Sequence, residues 1–381
     1  MKCIIFADCL NSFGGGERHI YYLAEVLKVK TIITTNYNPN LTYDFFKKFN
    51  IVEVFPAPRK PGYIQAILRF LYRIKIYLTA NRIKKRYPAD LYIGIGSSVH
   101  YFKPDIWYCI SPPKSWYDLY PYYLIHKYKK FYQRILFKFY RLIAVLIDKY
   151  IASKINHIWV VSKEVSRRVK KYYNREPEAI IYPPVKIPEI RVTKRGNYFL
   201  LPSRISPEKR IDLVVEVFKK TKEKLVICGS EEIYGQQLKE LIKGAKNIDY
   251  LGPFSGRELN DLYLNSKAML SFGINEDFGL IPIEANAFLK PVICPNEGGF
   301  KETVINKKTG FLIDKPYSEN LLNLINQFDK FDFNPKILRK NAKRFDFINF
   351  RKKVKREIKK IFIRRYDVEN LRVVGLVLFV I

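Results

Sequence analysis

The sequence predicts an α/β protein built from two Rossmann-like domains. Short apolar runs bounded by turn residues alternate with helical patterns along most of the 381 residues, which is typical of βαβ units and of a mainly parallel sheet. The runs form two consecutive series, separated by the segment Tyr182-Pro183-Pro184-Val185. Two such series joined by a proline-rich connection predict two domains, with a boundary near residues 183–195.

The first series contains seven predicted strands and opens with a glycine-rich loop after the first of them. Behind this loop, the periodic apolar pattern of His19–Lys28 predicts a helix. The strands are predicted over Lys2–Ala7, Lys30–Thr35, Ile51–Phe55, Leu91–Ile95, Ile106–Ile110, His157–Val161 and Ala179–Tyr182.

The second series contains six predicted strands, with helices over Pro207–Lys220, Gly256–Asn265 and Leu280–Phe288. Pro207 suits the first turn of its helix, where a missing N–H costs nothing. The strands are predicted over Tyr198–Leu201, Lys224–Cys228, Ile248–Leu251, Ala268–Phe272, Pro291–Cys294 and Gly310–Ile313.

The charge of the chain is unusual. It has 68 Lys and Arg residues against 36 Asp and Glu, which gives a net charge of +32, and 15% of its residues are aromatic. A folded cationic protein of this kind is expected to seek an anionic surface, either nucleic acid or acidic lipid. No helix-turn-helix, RNA-recognition or zinc-finger pattern accompanies the charge, so we do not expect nucleic acid as a partner.

Two segments concentrate the positive charge. Arg59–Arg86 has nine basic residues and no acid, and Leu119–Lys154 combines ten aromatic residues with eight Lys or Arg and one Asp. Both predict basic amphipathic helices with Tyr and Phe on the apolar side, which suits an anionic membrane surface. The alternative is that the apolar faces pack on the sheet and the lysines are simply solvated.

Cysteine usage predicts a cytoplasmic protein, and the two basic segments predict that it is peripheral on the inner face of the cell membrane. The five cysteines form no CxxC pair and the four histidines are scattered, so neither a disulfide framework nor a metal site is expected. No signal peptide and no membrane-spanning run are expected. The uncharged residues 373–381 are too short to span a bilayer; a late strand, an interfacial tail and an expression artefact all remain open.

The glycine-rich loop contains Gly14, Gly15 and Gly16. Glycine lets a backbone approach a ligand closely, and the first N–H groups of a helix bind anions. The loop is neither a P-loop nor a GxGxxG fingerprint. An anion site and a plain tight turn are therefore both compatible with it.

Two cations follow the first strand of the second series. Arg204 comes soon after that strand, and Lys209 lies at the start of the next helix. Cations at the carboxyl edge of a parallel sheet are well placed to hold a diphosphate. A surface loop with ordinary helix-end charges is the alternative.

Two carboxylates eight residues apart form the most specific pattern. Glu276 lies in the loop after a strand and Glu284 about a turn inside the next helix, so both can face the same side. Carboxylates accept hydrogen bonds from paired sugar hydroxyls, and the N–H groups of Asp277–Leu280 can meet a phosphate. A second glycine turn, at Gly298 and Gly299, follows.

In this order and spacing, the motifs resemble those of the retaining GT-B glycosyltransferases of family 4, the large group 1 glycosyltransferase family. The similarity covers roughly residues 1–350. It is carried by Gly15-Gly16-Glu17-Arg18, by Tyr182-Pro183-Pro184-Val185, by Arg204 with Glu208 and Lys209, by Glu276 with Glu284, and by Gly298-Gly299 with Glu302.

The resemblance implies a GT-B fold, in which two Rossmann-like domains face each other across a cleft. Residues 1–185 would be the acceptor-side domain with the membrane-facing helices, 186–350 the donor-binding domain, and 351–381 a basic helix with an apolar tail. The implied reaction is metal-independent transfer of a hexose, with retention, from a nucleotide-sugar to a glycan, polysaccharide or polyprenol-lipid-linked acceptor. The nucleotide-sugar is a substrate, so no cofactor is expected.

The resemblance also implies roles for individual residues. Glu284 would bind the ribose, Glu276 the transferred sugar, and Arg204 and Lys209 the diphosphate as negative charge builds on the leaving group. The catalytic residues implied are Glu276, Arg204, Lys209 and His100, and the donor-binding residues are Gly15, Gly16, Arg204, Lys209, Glu276, Phe278, Gly279, Leu280 and Glu284.

Two positions depart from the family pattern. Ile110 stands where members often carry a histidine that lines the donor sugar, and His100 is the nearest substitute, although a lone histidine is more often structural. Phe288-Leu289 replaces a more common glycine. The alternatives are therefore a catalytically silent scaffold or binding subunit, and an enzyme that uses a soluble acceptor. The presence of Arg204, Lys209, Glu276 and Glu284 together favours an active enzyme.

Overall fold

The computed structural model describes residues 1–56, 63–126, 130–190, 196–231, 234–254 and 256–366. These form two compact units. The first unit contains Met1–Tyr182 together with the chain from Phe350 onward, and the second unit contains Pro183–Asn349. The apolar tail at 373–381 lies outside the described residues, as do positions 59–62 and 127–129 of the two basic segments.

The first unit is built on a seven-stranded parallel sheet with the strand order β3-β2-β1-β4-β5-β6-β7. Phe6 lies opposite Ile33 on one side and Gly94 on the other. The strands are β1 (Cys3–Ala7), β2 (Thr31–Thr34), β3 (Asn50–Glu53), β4 (Leu91–Gly96), β5 (Ile106–Cys109), β6 (His157–Val160) and β7 (Ala179–Ile180). The helices between them are α1 (Gly15–Leu27), α2 (Tyr63–Arg86), α3 (Tyr120–His126), α4 (Phe131–Ser153) and α5 (Lys163–Tyr173).

The second unit contains a six-stranded parallel sheet with the order β10-β9-β8-β11-β12-β13. Its strands are β8 (Tyr198–Pro202), β9 (Lys224–Cys228), β10 (Ile248–Tyr250), β11 (Ser266–Leu270), β12 (Val292–Pro295) and β13 (Gly310–Ile313). Its helices are α6 (Ile211–Phe218), α7 (Gly235–Ile242), α8 (Gly256–Leu264), α9 (Leu280–Ala287), α10 (Phe300–Thr303), α11 (Tyr317–Asn326) and α12 (Pro335–Lys343). The last helix of the chain, α13 (Phe347–Tyr366), belongs to the first unit from Phe350 onward.

Both faces of the second sheet are covered, which explains why its strands are mostly apolar. Phe199 and Leu201 of β8 pack into a cluster with α6 and α11. Leu200, between them in sequence, packs on the other face with Ala285 of α9. Successive side chains of a strand point to opposite faces, so each face needs its own set of apolar residues.

The predicted fold class is confirmed, because both units are α/β with Rossmann-like parallel sheets. All thirteen predicted strands are present, with ends that differ by at most two residues. Among the described residues, no helix has both the length and the apolar character that crossing a bilayer requires.

Two predicted helices have different bounds in the structure. The first begins at Gly15 instead of His19, because the Glu17 carboxylate lies in its first turn, where a negative charge stabilises a helix. The helix predicted over Pro207–Lys220 is divided into a 3-10 turn at Pro207–Lys209 and α6. Arg210 separates the two parts because its left-handed backbone, with φ 49°, cannot continue either.

Candidate functional site

The candidate site lies at the carboxyl edge of the second sheet. β8, β11 and β12 are adjacent and parallel, so the loops that follow them meet at one edge, where α/β proteins bind ligands. These loops contain positions 203–210, 271–279 and 296–299. They carry most of the residues that the sequence predicts to bind a donor.

Lys209 and Glu276 are paired at this edge. Nζ of Lys209 lies 2.9 Å from Oε2 of Glu276, and the two side chains keep 23% and 21% of their surface exposed. The backbones of the two loops are also joined, because the N–H of Ile274 donates to the carbonyl of Glu208 at 2.7 Å. A pair this accessible adds little stability, so both groups remain available to a ligand.

Three glycines hold the backbone around Glu276 in close contact with its neighbours. A Cβ atom on Gly273 would stand 2.4 Å from Oε2 of Glu276, and one on Gly298 would stand 2.6 Å from its carbonyl oxygen. A Cβ atom on Gly299 would stand 2.5 Å from Cα of Phe278. The N–H of Gly299 donates to the Glu276 carbonyl at 2.8 Å. The glycine turn therefore fixes the loop that presents Glu276.

The same loop ends in the first turn of α9. Gly279 has φ +86°, a backbone conformation that glycine adopts without strain, and Leu280 is the first residue of the helix. The side chain of Phe278 is buried and its ring lies 5.4 Å from that of Phe345. Phe278 therefore contributes packing through its side chain, and only its backbone is available to bind a donor.

Glu284 lies on α9 with its side chain almost wholly buried. The hydroxyl of Tyr263, on α8, donates to its Oε2 at 3.0 Å. Tyr263 is a partner that sequence analysis missed, because no spacing rule links a tyrosine on one helix to a glutamate on the next. The bond holds the carboxylate in one orientation.

Arg204 is exposed at the carboxyl end of β8. Its neighbours tie the backbone to β9: the N–H of Ser203 donates to the Cys228 carbonyl at 2.8 Å and that of Ile205 to the Ser230 carbonyl at 3.0 Å. The loop is therefore anchored on both sides of Arg204. Arg204 therefore lies in a loop at the same sheet edge as the ion pair.

A second ion pair beside the first was also missed from the sequence. Nη1 of Arg210 lies 2.7 Å from Oε1 of Glu297, and the hydroxyl of Tyr317 donates to Oε2 of Glu297 at 2.7 Å. Burial works to raise the pKa of Glu297, but the bonds from Arg210 and Tyr317 outweigh it and keep that pKa below its usual value. Oε1 also accepts from the N–H of Asn275 at 3.4 Å, so Glu297 helps to position the loop of Glu276.

In the first unit, the glycine-rich loop forms the start of α1. Gly15 and Gly16 are the first two helical residues. The Ser12 hydroxyl donates to the carboxylate of the buried Glu17, and a Cβ atom on Gly14 would stand 2.6 Å from that carboxylate. Among the described residues, and apart from its chain neighbours and the backbone of α1, no heavy atom lies within 4 Å of the position a Cβ atom would occupy on Gly16. The helix N-terminus is therefore open at Gly16.

His100 lies in the core of the first unit and has no exposed surface. Its Nε2 is 2.9 Å from Oδ1 of Asp148, while the hydroxyls of Tyr117 and Tyr173 donate to Oδ2 of Asp148 at 2.9 and 2.7 Å. The ring also packs at 4.3 Å from Trp107. This placement does not suit the implied catalytic role, because a ring with no exposed surface does not reach a substrate. It suits the alternative of a structural histidine.

Asp8 is a further polar residue that the sequence analysis did not single out. It follows β1, at the point where β1 and β4 are neighbours, and its Oδ2 accepts the N–H groups of Ser97 and Ser98 at 2.6 and 3.0 Å. Burial raises the pKa of this carboxyl, against the lowering effects of Arg73 and the two N–H groups. A Cβ atom on Gly96 would stand 2.4 Å from Oδ2, so the carboxylate packs directly on the β4 backbone.

Residues 185–345 match the sequence profile of the family described as group 1 glycosyl transferases. This stretch lies within the second unit and makes up somewhat less than half of the chain. It includes Arg204, Lys209, Glu276 and Glu284 and the glycine turn at positions 298–299.

Two curated proteins illustrate the sequence similarity. The O-antigen chain mannosyltransferase RfbU of Salmonella typhimurium is 28% identical over 185 residues, which cover 46% of this chain and 50% of that protein. The alpha-1,3/1,6-mannosyltransferase ALG2 of Candida glabrata is 25% identical over 240 residues, which cover 48% of this chain and 52% of that protein. The chain thus spans about half the length of the curated relatives it matches.

Solved structures share the fold over almost the whole chain. Sucrose-phosphate synthase from Thermosynechococcus elongatus has a TM-score of 0.73 at 14% identity, over 96% of this chain and all of that chain (100%). Alr3699/HepE from Anabaena, solved in complex with UDP and glucose, has a TM-score of 0.69 at 14% identity, over 94% of this chain and 100% of that chain. The chain therefore has the GT-B fold.

Proposed function

We propose that this protein is a glycosyltransferase that moves a hexose from a nucleotide-sugar to a glycan or lipid-linked acceptor. The observation that carries the proposal is the accessible Lys209–Glu276 pair at the carboxyl edge of the second sheet. A cation for a diphosphate and a carboxylate for sugar hydroxyls stand there side by side. The match of residues 185–345 to group 1 glycosyl transferases supports this assignment.

In this proposal the second unit binds the donor. Arg204 and Lys209 neutralise the diphosphate as the bond between the anomeric carbon and the phosphate oxygen breaks, which stabilises the leaving group. Glu276 accepts hydrogen bonds from the transferred sugar. Glu284 binds the ribose hydroxyls, and the N–H groups at Gly279 and Leu280 bind phosphate oxygens.

The finer features of the proposal follow the family that the motifs resemble. The new bond from the anomeric carbon to the acceptor oxygen forms on the face from which the nucleoside diphosphate leaves, so configuration is retained, and the proton of the acceptor hydroxyl passes to the departing phosphate oxygen. Two fixed cations take the place of a metal ion. Gly15 and Gly16 bind the diphosphate or the acceptor through the start of α1. The net charge of +32 supports a location on the inner, anionic face of the cell membrane.

The names of the relatives bear on the sugar. RfbU and ALG2 are named as mannosyltransferases, and HepE was solved with UDP and glucose. We therefore propose that the transferred sugar is a neutral hexose. Titration with UDP, GDP and ADP identifies the nucleotide.

A catalytically silent binding subunit is the second candidate. It is favoured by Ile110, which stands where the family often has a histidine, together with the buried position of His100. A silent protein would keep the fold without turnover. Nucleotide-sugar binding without release of nucleoside diphosphate in the presence of acceptor would support it.

The test is a calorimetric titration of the full chain with UDP-, GDP- and ADP-sugars. We expect one nucleotide class to bind, and Arg204→Ala and Glu284→Ala to abolish the binding. Lys224→Ala is the matched control, because Lys224 is an exposed lysine at the start of β9 that pairs only weakly with Asp249 at 3.0 Å. Absence of binding to every nucleotide, or equal loss in the control, would contradict the proposal.

A further inference from the structure

The helix α4 has two apolar sides, and only one of them is buried among the residues that the structure describes. Its inward side includes Phe137, Ala144, Asp148 and Ile151, which are buried. The carboxylate of Asp148 accepts hydrogen bonds from Tyr117 and Tyr173 of neighbouring segments. The helix is therefore firmly seated by this side.

The opposite side of α4 is apolar and exposed. Phe131 is 78% exposed, Phe139 66% and Leu146 62%. Spacings of three and four residues place such side chains on one face of a helix. The exposed row, which we call the α4 stripe, consists of Phe131, Ile135, Phe139, Leu142, Leu146 and Tyr150.

The length of the stripe makes it more than a scatter of surface apolar residues. α4 has 23 residues, so at 1.5 Å per residue it extends for about 34 Å. Large continuous apolar patches mark a surface that binds a partner or a membrane. The exposed Leu71 and Leu78 of α2 add to the apolar surface of the same unit.

The charge of α4 and α2 distinguishes between the possible partners of the α4 stripe. The only acid on α4 is Asp148, which is wholly buried, while Lys138 and Lys149 are exposed beside the stripe. α2 packs against α4, with the Phe70 and Tyr140 rings 5.6 Å apart, and has no acid in its sequence. A second copy of the chain would bring these cations against one another, whereas an anionic lipid surface offers both apolar volume and negative charge.

We infer that α4 lies flat on an anionic lipid bilayer, with the α4 stripe inserted below the headgroups and Lys138 and Lys149 among the phosphates. The inference adds to the proposed function the surface on which a lipid-linked acceptor is met. Only the statement about the acceptor rests on the proposed function, because docking to the bilayer depends on the first unit alone. Insertion and charge attraction act together, so both must contribute to binding.

The first experiment measures co-sedimentation of the full chain with vesicles of phosphatidylcholine, with and without phosphatidylglycerol. We expect binding only to the anionic vesicles, decreasing as salt is raised. Phe139→Ser combined with Leu146→Ser should weaken it by at least about tenfold, because two large apolar side chains no longer insert. Ile337→Ser combined with Ile348→Ser is the matched control, since both residues are exposed but lie on α12 and α13, and it should bind like the wild type.

Charge and insertion are then tested separately. Lys138→Gln with Lys149→Gln should reduce binding by about fivefold per lysine and flatten its salt dependence. For insertion, Cys9 is the one exposed cysteine within the described residues, so a Cys9→Ser background allows single labelling. A polarity-sensitive dye on Leu146→Cys should shift to the blue on anionic vesicles, and the same dye on Ile348→Cys should not.

Several results would overturn the inference. They are absence of vesicle binding, equal binding by the Phe139→Ser, Leu146→Ser variant, or a wild-type dimer that this variant converts to a monomer. Vesicle binding that appears only after residues 367–381 are deleted would show that the tail covers the stripe. Nucleotide-sugar titration of the same variants separates the two proposals, because it should be unchanged whether or not the docking inference holds.

Discussion

Replacing Asp148 with leucine tests how the first unit holds α4 and why His100 is structural. The carboxylate accepts from the hydroxyls of Tyr117 and Tyr173 at 2.9 and 2.7 Å, and its Oδ1 lies 2.9 Å from Nε2 of His100. Leucine has the same branched shape and the same number of side-chain heavy atoms, but it is bulkier and accepts no hydrogen bond. The change therefore removes the acceptor that these three groups share, and that also accepts from the Tyr101 hydroxyl at 3.4 Å, in a wholly buried site.

The structure sets the size of the effect. An unpaired buried polar group costs about 1 to 3 kcal/mol, so loss of this shared acceptor should lower the free energy of unfolding of the first unit by about 3 kcal/mol. Tyr173→Phe removes only one hydroxyl and should cost about 1 to 2 kcal/mol. This milder variant keeps the prediction testable if Asp148→Leu fails to fold. Asp44→Asn, at an exposed carboxylate of the first unit, is the control and should change stability by less than about 0.5 kcal/mol.

Urea unfolding followed by tryptophan fluorescence is a suitable assay. The three tryptophans of the chain, Trp107, Trp116 and Trp159, all belong to the first unit, so the signal reports on that unit. If Asp148→Leu and Tyr173→Phe unfold at the wild-type urea concentration, the network contributes nothing. The account of His100 as part of a stabilising cluster would then be wrong.

Three further predictions concern pH and the glycine loop. Burial lowers the pKa of His19 to about 3, from an ordinary value of 6.5. The free energy of unfolding that depends on neutral His19 is therefore complete above pH 6.5 and is lost as pH falls toward 3, by up to about 1.4 kcal/mol per pH unit. Tryptophan-monitored unfolding should show this slope, and His19→Leu should remove it. Arg210 and Tyr317 lower the pKa of Glu297 despite its burial. The stabilising effect of the ionised carboxylate is therefore present above its ordinary pKa of 4.5 and is lost in more acidic solution. Calorimetric unfolding of the second unit should become less acid-sensitive in Glu297→Gln. Gly16→Ala has free space for its methyl group and should not reduce the free energy of unfolding. It should nevertheless slow sugar transfer, measured by nucleoside diphosphate release. An unchanged rate of transfer would show that Gly16 is not part of the site.

Most of the fold could be predicted from the sequence because parallel strands buried on both faces are continuous apolar runs. The run Lys224–Cys228, for example, is a strand with the same bounds in the structure. The start of α1 was misplaced because glycines usually oppose helix formation. In the structure, Gly15 and Gly16 are helical in front of the buried Glu17.

Residues of the candidate site could be predicted only where they belong to a sequence motif. Lys209 and Glu276 belong to recognisable motifs, and the structure brings them within 2.9 Å. The Arg210–Glu297–Tyr317 network joins residues that follow three different strands, and no spacing along one chain indicates such pairs. Composition predicted the basic aromatic character of α4, but only packing shows which of its apolar sides is covered.

The most direct test of the central claim is whether Lys209 and Glu276 hold a nucleotide-sugar. The measurement is calorimetric binding of the preferred nucleotide-sugar, and of its free nucleoside diphosphate, to the wild type, Lys209→Met and Glu276→Gln. The account predicts that Lys209→Met loses affinity for both ligands, whereas Glu276→Gln loses affinity only for the sugar-bearing one. Wild-type affinity of both variants for both ligands would contradict it.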